Sequence, residues 1–503
     1  MFDTPFHSLP KRLSLAWLRE TQQRNMFLLV VLTLSILITL EKFAPFLSLA
    51  VLVLGFIMIY CTFLTAILVT NRLKERLKHQ FTKEKLLELA DLANPLSMLE
   101  DPLEAEETPP PLPFTPVVCV LIPCHNESAV IAQTLQRMIQ LEYTGHLYFC
   151  VINDRSSDDT GAVLDALAQE TLPYPLFVLH RTNEAIPGKS AVLNDAVAYL
   201  HSLAGSGSTT NRPCPPPEVL CVFDADAQVE ADFIQANVAL LEPENVMAMQ
   251  ARKRIMNHES HWLLLCQELE YTFDAHLQVA RDIAGSAVEL RGNGMMVKTS
   301  ALEQLGGWNE ASITDDLDLS TRIHLHNGLI AFSSTHHVWE EGVTMVEALI
   351  KQRRRWAEGS LRRYLDYGGD IFFSSHVSVR TRVELWAYWL SFLFPILLTA
   401  DVVVMLISTL LDHASPWHQV ASLMVTPLFV LLFIPTIYVA IRRWHRPSRW
   451  VSLKQALMTG VFMSCLWLPI VFYTFNKVLF NPQAPFYWAK TERQGPFGRA
   501  MKC

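Results

Sequence analysis

The chain has 503 residues and a formal net charge of −8, with 50% hydrophobic and 18% charged residues. This length exceeds one ordinary domain, and the composition is apolar for a soluble enzyme. The negative charge, without a long basic stripe, argues against a nucleic-acid-binding protein, and nine scattered cysteines without a C-x-x-C pair argue against a disulfide framework or a zinc site.

The first predicted elements are two transmembrane helices within residues 25–70, after a polar N-terminal segment at 1–24. The apolar run from Met26 to Leu40 is marginal for a membrane helix, which needs about 20 residues, and the run from Phe43 to Thr70 is ample. No small-residue cleavage site follows Leu40, which disfavours a signal peptide. The lysines and arginines just after Thr70 place this exit and the N-terminus in the cytosol by the positive-inside rule.

A polar helix and a proline-rich linker at 71–116 lead to a domain predicted at 117–372. Four apolar runs of strand length alternate there with helix-like stretches such as Ala129–Leu141 and Gly161–Glu170. The runs are Val117–Ile122, Leu147–Ile152, Leu176–Leu179 and Val219–Phe223. Buried strands that alternate with helices indicate an α/β fold with a mostly parallel, doubly wound sheet.

Polar residues follow three of these runs, at the sheet edge where ligands bind in doubly wound folds. They are Cys124-His125-Asn126-Glu127, Asn153-Asp154 and Asp224-Ala225-Asp226. A D-x-D sequence alone is weak evidence. Directly after a buried strand, however, two carboxylates can hold Mg²⁺ or Mn²⁺ for a phosphate-bearing substrate.

Charged residues that suit transfer from an activated, phosphate-bearing donor lie further along the domain. Lys189, after Pro187-Gly188, could reach a diphosphate, although a solvated surface loop explains it equally well. Asp315-Asp316 offers carboxylates for proton transfer, and Gln352-Arg353-Arg354-Arg355-Trp356 offers guanidiniums on about one helical turn. Considered alone, that last segment is better explained as a basic juxtamembrane helix.

Three further membrane segments are predicted within 373–480, before a C-terminal tail at 481–503. They are Leu385–Leu411, Val420–Ile441 and Leu453–Phe475, and four arginines between the last two favour a cytosolic loop. We therefore expect a multi-pass membrane protein with a cytosolic central domain. Three full crossings would put the basic tail outside, against the same rule, unless Pro469 makes the last segment re-entrant or another lies along the interface.

The ordered set of these motifs resembles the family 2 glycosyltransferases of GT-A fold. It comprises Ile122-Pro123-Cys124-His125-Asn126-Glu127, Asn153-Asp154, Gly188-Lys189, Asp224-Ala225-Asp226, Thr314-Asp315-Asp316 and Gln352-x-x-Arg355-Trp356. The resemblance implies a Rossmann-like catalytic domain flanked by transmembrane helices, a UDP-sugar donor, Mg²⁺ or Mn²⁺, and inversion at the anomeric carbon.

The same resemblance implies a role for each matching residue. The uridine would be bound by Pro123, Glu127 and Asp154, and the diphosphate by Lys189. Asp226 would be the main metal ligand, with Asp224 near the metal, sugar and nucleotide. Asp316 would be the general base, Arg355 would balance the departing UDP, and Trp356, near Gln352, would line the acceptor or donor pocket. Many members have Glu-Asp where this chain has Asp315-Asp316. The position of the general base is therefore kept, and the departure from the family pattern concerns only Asp315.

A second series of motifs resembles the cyanobacterial monoglucosyldiacylglycerol synthases. It includes Glu289-Leu290-Arg291-Gly292-Asn293-Gly294, Gly306-Gly307-Trp308-Asn309-Glu310, Glu340-Glu341-Gly342 and Arg355-Trp356-Ala357-Glu358-Gly359. This resemblance implies transfer of glucose from UDP-glucose to diacylglycerol in the membrane. A processive polysaccharide synthase that makes a β-glucan or an N-acetylglucosamine polymer, with a growing glycan as acceptor, remains the alternative.

Overall fold

A computed structural model describes residues 114–205, 215–256, 258–410 and 434–480, and positions 19, 21–28, 30–31 and 35 near the N-terminus. The predicted helix pair at 25–70 lies largely outside the described residues. The linker up to residue 113 and the tail at 481–503 lie wholly outside them.

An eight-stranded sheet forms the centre of the domain, in the order β3-β2-β1-β4-β7-β6-β8-β5. Its strands are β1 (Val118–Cys124), β2 (Leu147–Asp154), β3 (Leu176–Arg181), β4 (Val219–Val222), β5 (Gln228–Val229), β6 (Val246–Ile255), β7 (Met295–Lys298) and β8 (Leu329–Glu340). The four predicted strands are present, with ends shifted by one or two residues.

The sheet is mixed, although most of its strands share one direction. Strands β1 to β4 are mutually parallel, and β6 is parallel to β8. Strand β7 runs antiparallel between β4 and β6, and β5 runs antiparallel along β8. The prediction of an α/β fold is therefore confirmed, and the two antiparallel strands are the departure from its parallel pattern.

Apolar layers cover both faces of the sheet because β1 and β2 bury side chains on both sides. In β1, Val118, Val120 and Ile122 belong to one cluster, whereas Cys119 and Leu121 belong to the other. The helices that cover the sheet are α1 (Ile131–Met138), α2 (Thr160–Ala168), α3 (Lys189–Gly205), α4 (Phe233–Val238), α5 (Trp262–Ile283), α6 (Thr299–Gln304) and α7 (Asp315–Leu325). This is the doubly wound arrangement that continuous apolar strands require.

Three long helices follow the sheet: α8 (Val346–Phe373), α9 (Val379–Leu410) and α10 (Arg449–Phe480). Among the described residues, α10 alone is long and apolar enough to cross a membrane. It has 32 residues and continues through Pro469, so the proline does not end the helix. Residues 434–444 are also helical. The multi-pass topology remains a prediction.

The helical residues near the N-terminus pack against α8 and α10. Met26 is fully buried beside Leu361 and Val478. The Gln22 side-chain amide donates hydrogen bonds of 2.8 and 2.9 Å to the Asp366 carboxylate. The start of the chain therefore supports the helix that carries Gln352, Arg355 and Trp356.

Candidate active site

A cleft of about 450 Å³ opens between the sheet edge and helices α5, α7 and α8. Its walls bring together eight of the ten residues that the sequence singled out, from five separate motifs. These are Glu127, Lys189, Asp224, Asp226, Asp316, Gln352, Arg355 and Trp356.

The other two, Pro123 and Asp154, do not line this cleft. Asp154 is 1% exposed, and its carboxylate forms salt bridges with Arg155 at 2.9 Å and Arg181 at 2.5 Å. The carboxylate is thus held by two guanidiniums. A uridine contact from Asp154 would need access to a carboxylate that is buried and already accepts from two guanidiniums, and the sequence motif gave no sign of these ion pairs.

Lys189 lies at the start of α3 among carboxylates from two motifs. Its ammonium group donates to Asp224 Oδ1 at 2.7 Å. Burial opposes the lysine's charge, but the negative charges of Asp224, Asp315 and Asp316 outweigh burial and raise the pKa of Lys189. The lysine therefore stays protonated and links the D-x-D segment to the Asp315-Asp316 segment.

The D-x-D carboxylates both face the cleft, one half-exposed and one nearly buried. Asp224 is 32% exposed at its side chain, and Asp226 is 7% exposed and accepts a hydrogen bond from the Glu341 backbone N–H at 3.2 Å. No group of three or more potential metal-ligating side chains occurs among the described residues. Two carboxylates nevertheless fit Mg²⁺ or Mn²⁺, which usually keep waters and substrate phosphates as further ligands.

Asp316 lies in the first turn of α7, where the helix dipole favours a carboxylate. Its Oδ1 accepts a hydrogen bond from the Leu317 backbone N–H at 2.8 Å. A Cβ at Gly292 would lie 3.4 Å from Asp316 Oδ2, and the φ of Gly292 is +79°. Glycine at this position therefore permits the backbone turn and keeps space open beside the carboxylate.

Asp315 lies next to Asp316 in a different environment. One of its carboxylate oxygens, Oδ2, is buried without a hydrogen-bond partner. Burial raises the pKa of Asp315 to about 6, against the opposing effect of Lys189, and the negative charge of Asp316 adds to the rise. The two neighbouring acids are thus chemically distinct.

The Asp315-Asp316 segment touches α8 through a contact that the motifs did not indicate. Thr314 packs against Gly359, where an added Cβ would overlap Thr314 Cγ2 and lie 2.6 Å from Oγ1. The Thr314 hydroxyl has no hydrogen-bond partner. Only glycine at 359 leaves room for this contact, which holds α7 and α8 together.

The three consecutive arginines at 353–355 in α8 have three different surroundings. Arg353 is fully buried, pairs with Glu270 at 2.7 Å and donates to Gln352 Oε1 at 2.7 Å. Its guanidinium also lies 4.0 Å from the Trp356 ring centroid. Arg354 stacks on Tyr473 of α10, and Arg355 faces the cleft. Arg353 therefore positions two motif residues, a role that the sequence did not distinguish.

Apolar side chains from the long helices close one side of the cleft. They are Tyr388 and Phe392 on α9 and Trp467 on α10. The Trp467 indole N–H donates to Glu270 Oε1 at 2.8 Å. The apolar side of the cleft is therefore hydrogen-bonded directly to one of its carboxylates. Aromatic residues in the predicted membrane segments thus reach the site.

The sequence profile of the glycosyltransferase-like family 2 matches residues 115–359. A protein of Trichormus variabilis named β-monoglucosyldiacylglycerol synthase is 34% identical over 76% of this chain and 77% of its own length. A Synechocystis protein of the same name is 36% identical over 60% of this chain and 61% of its own. The structure of a Pyrobaculum calidifontis mannosyltransferase, solved with GDP-mannose and Mn²⁺, aligns with a TM-score of 0.48 at 18% identity, covering 80% of this chain and 99% of that one.

Proposed function

The chain belongs to the glycosyltransferase-like family 2 and is a hexosyltransferase, and on that premise we propose that it transfers glucose from UDP-glucose to 1,2-diacylglycerol. The product would be β-monoglucosyldiacylglycerol, released into the membrane. The named relatives support this acceptor and sugar, and the composition of the cleft supports the chemistry.

The observation that carries the proposal is that one cleft has both a carboxylate-rich side and an apolar side. Asp224, Asp226 and Lys189 form the first, and Tyr388, Phe392 and Trp467 form the second. A nucleotide sugar needs charged groups at its diphosphate, whereas a lipid needs apolar surface at its chains. A cleft with both suits transfer from a charged donor to a lipid acceptor.

On the donor side, Glu127 would contact the uridine, and Lys189 and Arg355 would face the diphosphate. Asp226, assisted by Asp224, would hold Mg²⁺ or Mn²⁺, which when bound would neutralise the diphosphate charge. Because Lys189 already pairs with Asp224, Asp226 has the carboxylate better placed to serve as the main ligand. Gln352 and Trp356 would line the sugar between the two sides.

On the acceptor side, Asp316 would be the general base. Its carboxylate would take the proton of the acceptor hydroxyl as that oxygen bonds to C1 of the sugar. The bond between C1 and the phosphate oxygen breaks on the opposite face, and UDP leaves with the electron pair. One direct displacement inverts C1, so a single base suffices.

The experiment that tests this proposal uses membranes that contain the protein, labelled UDP-glucose and dioleoylglycerol. We expect label in the organic phase, in a product that depends on added diacylglycerol. Label found only in material insoluble in both phases would favour the polysaccharide synthase instead. Absence of lipid label with active, folded protein would contradict the proposal.

A further inference from the structure

We propose that Asp274 is a specificity-determining residue that makes this enzyme reject anionic hydroxyl lipids as acceptors. The inference rests on the proposed function and concerns the side of the cleft that faces the acceptor. It requires that a cation near the base be neutralised by the protein itself, and the surroundings of Arg291 show that arrangement.

Arg291 lies in the cleft wall immediately before Gly292, the residue that borders the Asp316 carboxylate. Asp274 of α5 accepts two hydrogen bonds from its guanidinium, at 2.8 Å from Nη2 and 3.1 Å from Nε. Glu289, fully buried behind the cleft wall, lies 3.2 Å from Arg291 Nη1. The guanidinium of Arg291 is therefore held by two carboxylates.

The charges around Arg291 balance. Arg281 and Arg363 share Glu289 with it, and Arg281 also pairs with Glu384. The cluster thus contains three guanidiniums (Arg281, Arg291 and Arg363) and three carboxylates (Asp274, Glu289 and Glu384). Of the three carboxylates, only Asp274 lines the cleft. Loss of its charge would leave one net positive charge beside the acceptor site.

Lys253, which also lines the cleft, is paired in the same way and lies 2.9 Å from Glu340. With Lys189 and Arg355 facing the donor diphosphate as proposed above, a phosphate on an incoming lipid would approach Asp315 and Asp316 while Arg291 and Lys253 are already paired with carboxylates. Like charges brought together in a partly dehydrated cleft repel each other strongly, whereas an uncharged glycerol hydroxyl meets no such repulsion.

Specificity of this kind comes from disfavouring the wrong ligand as much as from favouring the right one. The Asp274 side chain is 35% exposed and that of Arg291 is 20% exposed, so both can be reached from the cleft. Asp274→Asn keeps the size of the side chain and removes its charge. The guanidinium of Arg291 would then attract a lipid phosphate.

The experiment is a competition between dioleoylglycerol and dioleoyl phosphatidylglycerol in the same mixed micelles. Both lipids carry free hydroxyls, and a shared micelle removes differences in surface charge. We expect the wild type to prefer diacylglycerol by roughly 100-fold in kcat/KM. Asp274→Asn should narrow that preference by roughly tenfold, and Asp274→Glu should retain it.

Two controls separate charge from shape and from folding. Ceramide is an uncharged hydroxyl lipid of different shape. The ratio of kcat/KM for ceramide to that for diacylglycerol should be the same in the wild type and in Asp274→Asn. Asp165→Asn removes an exposed carboxylate outside the cleft and should leave the wild-type preference unchanged. If Asp274→Asn does not fold, Glu384→Gln provides a second test. It removes a carboxylate of the same cluster that lies outside the cleft, and it should reduce the preference for diacylglycerol over phosphatidylglycerol as well.

Several results would overturn the inference. Equal use of both lipids by the wild type would do so, as would an unchanged preference in a folded Asp274→Asn variant. A parallel change in the ceramide ratio would show that Asp274 acts through shape. Absence of transfer to every lipid, by contrast, would contradict the proposed function and not the role of Asp274 in particular.

Discussion

Asp316 and Asp315 are adjacent in sequence and half-buried in the same cleft, yet their surroundings assign them different chemistry. Asp316 has a hydrogen-bond donor at Oδ1 and open space beside Oδ2. Asp315 has a buried, unpartnered oxygen, and burial raises its pKa to about 6. The space beside Asp316 supports its proposed role as the base that an acceptor hydroxyl would approach.

Asp316→Asn should lower kcat by roughly 10²–10⁴-fold, the usual contribution of a general base. Affinity for UDP, measured by calorimetry, should change little because the amide keeps the side chain's size and position. Asp315→Asn serves as the neighbouring comparison and should retain measurable turnover. Sugar transfer by Asp316→Asn at the wild-type rate would show that another group takes the proton.

Asp226→Ala tests the assignment of the metal ligand. We expect weaker Mn²⁺ binding in the presence of UDP, measured by electron paramagnetic resonance, together with a higher metal concentration for half-maximal rate. The lost carboxylate is a hard oxygen ligand of the kind that Mn²⁺ and Mg²⁺ prefer. Unchanged Mn²⁺ affinity in a folded variant would count against Asp226.

Gly359 is predicted to position the base through Thr314. Gly359→Ala should lower kcat, because the new methyl group must displace Thr314 and with it the start of α7. Adding Thr314→Ala removes Cγ2 and Oγ1 from the overlap and should restore part of the rate. A double variant no faster than Gly359→Ala would show that the contact does not transmit position.

The local sequence predicted the first strands well because each is a continuous apolar run. Leu147–Asp154 is buried along its whole length and Val118–Cys124 at every position except Pro123, so the apolar composition of these runs identified them. The insertion of β7 between β4 and β6 depends on pairing between segments far apart in sequence, which a local pattern does not contain. The mixed direction of the sheet was therefore not predictable.

Helix α8 shows that the local sequence also does not determine which side chains reach the site. The Gln352–Trp356 segment could be assigned to a helix and to phosphate chemistry, but its three arginines look alike in sequence. Only tertiary contacts separate buried Arg353 from Arg355 in the cleft. For the same reason, the salt bridges of Asp154 with Arg155 and Arg181 could not be foreseen.

Arg353→Met should destabilise the fold by about 3–5 kcal/mol, since it leaves Glu270 nearly buried without its counterion. The melting temperature in detergent measures this, and a higher KM for the donor should accompany it as Gln352 and Trp356 lose their support. Arg354→Met, one residue away, loses only a contact with Tyr473 and should cost less than about 1 kcal/mol. Equal melting temperatures for the two variants would contradict the structural role of Arg353.

At the scale of the molecule, the candidate catalytic cleft is shared between the α/β domain and the long helices. Strand ends contribute Asp224 and Asp226, and α9 and α10 contribute Tyr388, Phe392 and Trp467. Since α10 is apolar enough to cross a membrane, its contact with the cleft would set the site at the lipid surface. A lipid acceptor could then reach the base while the donor arrives from water.

The central claim is tested most directly by the product of the purified protein. When the protein is incubated with UDP-glucose, Mn²⁺ and dioleoylglycerol in detergent, mass spectrometry should show a lipid heavier than dioleoylglycerol by one hexose unit. Nuclear magnetic resonance should show that the hexose is β-linked. A polymer of glucose with unmodified diacylglycerol would contradict the claim, as would an α-linked glycolipid.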